Sequence, residues 1–199
     1  MKNLLLLLLL LSGCTSVSYQ TQDIVEIGYK STYYVKTAGG NCTGFALDYN
    51  TIITAAHCID KTAVVLQHNE KIFFGVVLLD DDVRDIAIIH TDEYLLPLSA
   101  ETGSLKPGQL LIGIGHPFYA GKQQTFHIGH YKHFEKGYII AAGVCYRGMS
   151  GGPILNQYGQ VVGVCSRIGA AIDIYSNNLD HSHVDLNLLV PIGEVLKLL

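Results

Sequence analysis

Three short segments of the chain hold side chains that could together hydrolyse an amide. At neutral pH that reaction needs a nucleophile, a base to deprotonate it, and N–H donors for the oxyanion that forms. Ile53-Thr54-Ala55-Ala56-His57-Cys58 ends an apolar run in two small alanines and then an imidazole, which could serve as the base. Val83-Arg84-Asp85-Ile86-Ala87-Ile88-Ile89 places a carboxylate directly before an apolar strand, where it could orient that base. Gly148-Met149-Ser150-Gly151-Gly152-Pro153 sets a hydroxyl between glycines, which let the backbone turn sharply and present N–H groups beside it. Taken singly, each segment also has a plainer reading: a core histidine, a turn aspartate before a strand, a glycine-rich loop.

The elements that must position these groups are read from periodicity. Short runs rich in valine, isoleucine and tyrosine, separated by glycine, asparagine or aspartate, recur along the chain: Thr43–Leu47, Thr51–Thr54, Ala63–Gln67, Ile72–Leu79 and Ile86–His90, then Gln109–Ile114, Gln124–Phe134, Tyr138–Ala142, Gln160–Cys165 and Leu186–Val190. This spacing predicts antiparallel barrels or sandwiches rather than alternating strand–helix units. Pro97 to Gly108 has no apolar period and reads as a connector between two halves. Only the end reads as helical, with Pro191 at a first helical position and Ile192, Val195, Leu196 and Leu199 on one face.

The chain has 199 residues and a net charge of −4, with no basic block, so it lacks the electrostatic footprint of a nucleic-acid binder. Its first residues are a leader. Eight leucines, Leu4 to Leu11, are too few to span a bilayer, which takes about 20 apolar residues. A charged start, a short apolar core and a small-residue exit describe an export signal. The exit, Leu11-Ser12-Gly13-Cys14, resembles the lipobox of bacterial lipoproteins. That resemblance implies cleavage before Cys14, lipidation of its thiol, and a membrane partner through the lipid. Residues 1–13 are thus read as signal peptide, 14–22 as a polar tether and 23–199 as the folded domain. Thr15 is not the aspartate that retains lipoproteins at the inner membrane, so sorting to the outer membrane follows where the cell has two. Without Cys14, four of the five cysteines remain, an even number in an exported chain, where disulfides are the default.

Together the three chemical segments, in the order His, Asp, Ser, resemble the trypsin-like serine peptidases, whose signatures are T-A-A-H-C, a D-I-A-type strand and G-x-S-G-G-P. The resemblance implies a domain of two antiparallel six-stranded β barrels, about 23–97 and 108–190, with a short helix at 191–199. It implies a catalytic triad of Ser150, His57 and Asp85, with the N–H groups of Gly148 and Ser150 forming the oxyanion hole. It extends to the Deg-type bacterial proteases: Ile112-Gly113-Ile114-Gly115-His116-Pro117-Phe118 is similar to their I-G-N-P-F turn, with His116 in place of asparagine. Val161 to Val164 and Leu189 to Ile192 match their later strands. No residues remain for the PDZ domain that such proteases usually append. Met149 stands where trypsin-type zymogens carry an aspartate, so activation by a freed N-terminal amine is not expected.

Other site readings follow from the same resemblance. Cys42 and Cys58 match the family's bridge beside the histidine, a closure that contributes about 3 kcal/mol in the chain-entropy model. Cys145 and Cys165 are not at usual bridge positions but map to the walls of the primary specificity pocket; a bridge and two buried thiols both remain open. Val144 maps to the pocket floor, and Ser166 and Ile168 to its wall, implying small or medium aliphatic side chains before the cleaved bond. Arg167 stands between them and could attract acidic ones. His127, His130 and His133 invite a metal reading, but strand alternation puts 127 and 133 on one face and 130 on the other, and no partner ligands sit at a finger spacing. His181 and His183 read as solvated, and Asp80-Asp81-Asp82 as a turn. The expectation is therefore a cell-envelope serine endopeptidase with protein or peptide substrates and no cofactor. A protease-fold binding module without activity, or an esterase using the same triad, are the alternatives.

Overall fold

The computed structural model describes residues 21–37, 40–60, 63–169 and 186–199. The leader, Cys14, His181 and His183 lie outside them. An opening helix α1 (21–30) leads into β1 (Thr32–Thr37), β2 (Gly40–Asp48) and β3 (Thr51–Thr54). A single 3-10 turn, Ala56–Cys58, precedes β4 (Ala63–His68), β5 (Lys71–Asp81) and β6 (Ile86–His90). The second series is β7 (Leu110–Gly115), β8 (Thr125–Glu135), β9 (Tyr138–Ala142), β10 (Pro153–Leu155), β11 (Val161–Gly169) and β12 (Leu186–Pro191), closed by α2 (Ile192–Leu196). Each series folds into a closed antiparallel barrel, ordered β1-β2-β3-β6-β5-β4 and β10-β11-β12-β9-β8-β7.

Alternation drives each barrel shut. On β5, Phe73 and Gly75 point inward while Ile72, Phe74 and Val76 point out. Tyr33, Val35, Ala46, Ile52, Val64, Leu66, Phe73 and Ile89 fill the first barrel; Leu111, Tyr131, Ile139, Ala141, Met149, Ile154, Val162 and Leu189 fill the second. A third cluster lies between them. Phe45, Ile53, Ile86 and Ile88 from the first barrel meet Ile112, Ile114, Leu155, Val161, Val164 and Val190 from the second. The connector is stitched to both barrels, with Leu98 N–H donating to Ala46 O at 3.0 Å and Glu101 N–H to Val161 O at 2.8 Å.

Four elements depart from the sequence reading. Helix α1 occupies residues assigned to the tether and the start of the first barrel, and its Ile24 and Val25 are buried in the cluster between the barrels. Gly28 hides the helical period, since its missing side chain is what lets α1 lie on Ile114 and Leu155. Strands β1 and β10 complete the six of each barrel but lie outside the ten runs drawn from periodicity; β10 is only three residues long. The C-terminal helix starts at Ile192, after Pro191 has ended β12, and stops at Leu196; it buries Ile192 and Val195 but leaves Leu196 and Leu199 exposed.

A bulge in β8 also changes the histidine pattern. The register against β9 jumps between Tyr131 and His133, so His130 pairs with Ala142 and His133 with Ile140. Paired residues two apart on β9 share a face, so His133 joins His130 rather than His127. In the wall of the same barrel, a Cβ added at Gly113 would stand 1.8 Å from the Val144 carbonyl oxygen. Gly113→Ala should therefore destabilise the domain by about 1–3 kcal/mol, as overpacking does. A urea midpoint lowered at constant m-value would record it; an unchanged midpoint would mean that the Val144 backbone can shift aside.

Candidate active site

His57 sits in the 3-10 turn that follows β3. Ala55 and Ala56 are buried, and larger side chains there would push the turn off the barrel. Cys58, next to the histidine, is bridged to Cys42 on β2 with Cα atoms 6.1 Å apart. The imidazole Nδ1 lies 2.8 Å and 3.0 Å from the two carboxylate oxygens of Asp85, whose Oδ1 also accepts the His57 backbone N–H at 3.1 Å. A carboxylate only accepts, so Nδ1 carries the proton and Nε2 is left as the acceptor.

Asp85 ends the turn between β5 and β6 in the left-handed region, at φ 57°. Aspartate tolerates that region better than most residues. The turn is held by Asp81, whose carboxylate accepts the Val83 and Arg84 N–H groups at 3.0 Å and the Arg84 guanidinium at 2.7 Å. Of the aspartates around this turn, Asp85 is the one that reaches His57. Burial acts to raise its carboxyl, but hydrogen bonds from His57 and from the Ser166 hydroxyl together hold it below the ordinary range. The carboxylate thus contributes stability above its unfolded-state value, lost only as pH falls through the depressed one. The Ser166 contact was not read from the sequence, which placed this residue in the pocket wall. It crosses from the second barrel to the first, and only the packed pair of barrels brings it about.

Ser150 stands in the loop between β9 and β10, fastened on several sides. Its carbonyl accepts the Thr43 N–H at 2.8 Å, Gly151 N–H donates to Cys165 O at 2.7 Å, and Cys165 N–H to Gly152 O at 2.9 Å. Gly151 has φ +82°, and a Cβ there would meet Thr54 Oγ1 at 2.2 Å and Thr43 O at 2.3 Å. Gly148 has φ +94°, and its Cβ would meet His116 O at 2.5 Å. The Arg147 carbonyl is pinned by the Phe118 N–H at 2.8 Å. A trans peptide points its C=O and N–H in opposite directions, so this bond fixes the Gly148 N–H away from Phe118. Among the described residues neither Gly148 N–H nor Ser150 N–H donates to a backbone carbonyl.

His57, Gly148, Ser150, Ser166, Arg167 and Ile168 all line one open cleft of about 530 Å³, with Phe118, Arg147 and the Cys42 side of β2 on its walls. Among the described residues no acidic side chain is on those walls, and neither Arg147 nor Arg167 forms an ion pair. Val144 and Cys165 lie behind this surface, buried in the core of the second barrel. Cys165 is bridged to Cys145, Cα atoms 6.2 Å apart. The buried Asn187 amide oxygen accepts both the Val144 and Cys145 N–H groups, at 2.9 and 3.1 Å, a brace that no motif around Asn187 announces.

A profile of the trypsin-like peptidase domain matches residues 42–164, which hold all three chemical segments. The chain belongs to the trypsin-like peptidase domain family. Among relatives, a probable periplasmic serine endoprotease, DegP-like, of Chlamydia pneumoniae is 34% identical over 141 residues, covering 63% of this chain and 28% of the relative. Serine protease HTRA1B of Danio rerio is 27% identical over 158 residues, covering 70% and 33%. The chain thus spans about a third of the length of the curated relatives it matches. Among solved structures, the active form of the Rv3671c protease of M. tuberculosis superposes with a TM-score of 0.74 at 22% identity, covering 87% of this chain and 81% of the other. Deg5 superposes at 0.70 and 21%, covering 90% and 92%. These likenesses confirm the two-barrel fold of the family.

His116 marks a difference from the I-G-N-P-F turn. Its ring is buried, stacked edge-on to Tyr34, and among the described residues its Nδ1 has no hydrogen-bond partner. Burial first, and the neighbouring His68 second, push it down to about 4. A histidine protonated more readily unfolded than folded costs stability as pH falls from about 6.5 toward about 4, by about 3 kcal/mol in all. His116→Asn should remove that component. Parallel unfolding curves of the two proteins across this range would contradict it.

Proposed function

We propose that this chain is a serine endopeptidase in which Ser150 is the nucleophile, His57 the general base and acid, and Asp85 the residue that orients the imidazole. The carrying observation is the convergence of the Ser166–Asp85–His57 hydrogen-bond chain with Ser150 and the Gly148 turn in a single cleft. In this reading Ser150 Oγ attacks the scissile carbonyl while its proton passes to His57 Nε2. The Gly148 and Ser150 N–H groups stabilise the oxyanion, and the imidazolium formed is countered by the Asp85 carboxylate. The proton then goes to the leaving amine, and water repeats the sequence to release the acyl group. Alanine at Ser150 or His57 should each lower turnover by about 10⁴-fold or more, and the two losses should not add. Near-normal peptide cleavage by Ser150→Ala would overturn the assignment.

The pocket supports small or medium aliphatic side chains before the cleaved bond, since Ile168 narrows its wall and Val144 behind it carries no charge. The two arginines add a preference for acidic side chains beside that residue. Replacing Ile168 with glycine should admit bulkier residues. Arg147→Gln with Arg167→Gln should lower kcat/KM for glutamate-bearing peptides roughly 2- to 30-fold, each exposed ion pair contributing about 0.2–1 kcal/mol. Cleavage profiling of a mixed peptide pool reads both; a profile dominated by lysine or arginine before the cut would refute the pocket reading.

For location, the leader and Cys14 support an acylated protein of the bacterial envelope facing the periplasm, sorted to the outer membrane where the cell has two. The periplasmic name of the Chlamydia pneumoniae relative points the same way. No helix among the described residues is long and apolar enough to cross a membrane, so in this reading anchoring rests on the lipid.

A further inference from the structure

The outer face of the first barrel carries a run of apolar side chains that the active site does not use. Ile72, Phe74 and Val76, alternate residues of β5, are 58%, 71% and 55% exposed, and Leu78, in the bulge that follows, is 65% exposed. On β4, Ala63 pairs with Val76 and Val65 with Phe74, so both extend the same face. None of these six side chains is charged; on β5 charge is confined to the ends, at Lys71, which pairs with Glu93, and at Asp80 and Asp81, while the flanking strands place Lys36 beside Val65 and His90 beside Val76. Exposed apolar side chains are ordinary when scattered, but a contiguous face of them marks a surface that meets something apolar. Strand addition cannot be the use, because β5 already has β4 on one side and β6 on the other.

We propose that this face lies on the lipid bilayer to which the chain is anchored. The proposal rests on the lipid-anchor reading of Cys14. Six residues separate Cys14 from Thr21 at the start of α1, seven Cα-to-Cα steps with a reach of about 25 Å when extended. From α1 the chain passes directly into β1, which pairs with β4, the strand beside β5. Helix α1 itself packs on the second barrel, with Ile24 beside Gly159 and Gly28 on Ile114 and Leu155, and its end feeds the barrel that bears the apolar face. A second copy of the chain is the weaker occupant: six side chains fall short of the roughly 20–30 residues a side of a stable interface. A tethered domain needs far less, because the anchor holds it at high effective concentration beside the surface. Contact through uncharged side chains needs no anionic lipid and is insensitive to salt. Once docked, the β5 axis fixes the attitude of the cleft, since the same strand runs into the turn that carries Asp85.

The chain contains no tryptophan, so a single introduced one reports on its own surroundings. The acylated Phe74→Trp protein, isolated from membranes, is reconstituted on phosphatidylcholine vesicles with brominated acyl chains. Its tryptophan emission should shift to the blue and fall by about half or more, since docked apolar side chains lie about 5–10 Å into the headgroup and acyl boundary. Phe134→Trp, an exposed position on β8 of the second barrel, should stay unquenched. Val76→Trp repeats the measurement should Phe74→Trp fold poorly. A Phe74→Trp indole that stays water-exposed, on a protein that floats with vesicles and carries lipid on Cys14 by mass spectrometry, overturns the docking and leaves the anchor standing. A blue shift that grows with protein concentration, without bromine quenching, assigns the face to a second copy and overturns it too. Equal quenching in the Phe74→Trp and Phe134→Trp proteins rejects a specific face. A protein without lipid on Cys14 that fails to float rejects the anchor, and the docking with it.

Discussion

Everything chemical in this molecule depends on one apolar interface between two closed barrels. A closed antiparallel barrel satisfies its own ladder and can bury a core by itself, as each series here does. What neither can do alone is bring His57 and Ser150 to the same place. Phe45, Ile53, Ile86 and Ile88 on one side and Ile112, Ile114, Leu155 and Val164 on the other do that, by leaving water together. Helix α1 and helix α2 complete the seal with Ile24, Val25, Ile192 and Val195.

Hydrophobic contact is non-directional, so register across the interface comes from hydrogen bonds. Thr43, fully buried on β2, makes three of them. Its N–H donates to Ser150 O, and its hydroxyl donates to Gly148 O at 3.0 Å while accepting His116 N–H at 3.0 Å. Its carbonyl accepts the Thr54 hydroxyl at 2.7 Å, which ties it to its own barrel. The first barrel thus fixes the backbone of the loop that carries Ser150. Ser166 acts in the opposite direction, from the second barrel, by bonding Asp85. Two reciprocal contacts of this kind set an orientation that packing alone would leave loose.

The electrostatics of the cleft follow from the same arrangement. The carboxylate behind it, Asp85, is withdrawn from the surface, 3% exposed and committed to His57 and Ser166, so the negative charge that steadies the imidazole is not offered to a ligand. The rim is left with Arg147 and Arg167. Among the described residues, a chain that is acidic overall thereby carries a basic rim on the cleft that holds His57 and Ser150.

The sequence alone determined the parts list. The period-two runs dictated strands, because alternation can bury one face only in a sheet, and β3, β6 and β9 fall where the runs were drawn. The local motifs around His57, Asp85 and Ser150 were legible because each demands special residue types in a few consecutive positions. What the sequence could not carry was anything that depends on residues far apart in the chain. Helix α1 was invisible because its buried face is completed by a glycine whose meaning is Ile114, far along the chain in the other barrel. The switch of His133 to the face of His130 came from a bulge, which slips register without changing composition. Ser166 read as a pocket wall until the barrels were packed, and Asn187 as an ordinary polar residue in a strand. The apolar face of β5 is the opposite case: its residues were plain in the sequence, yet strand alternation says only that two faces differ, and burial in three dimensions decided that the face with Phe74 points out while the one with Phe73 points in.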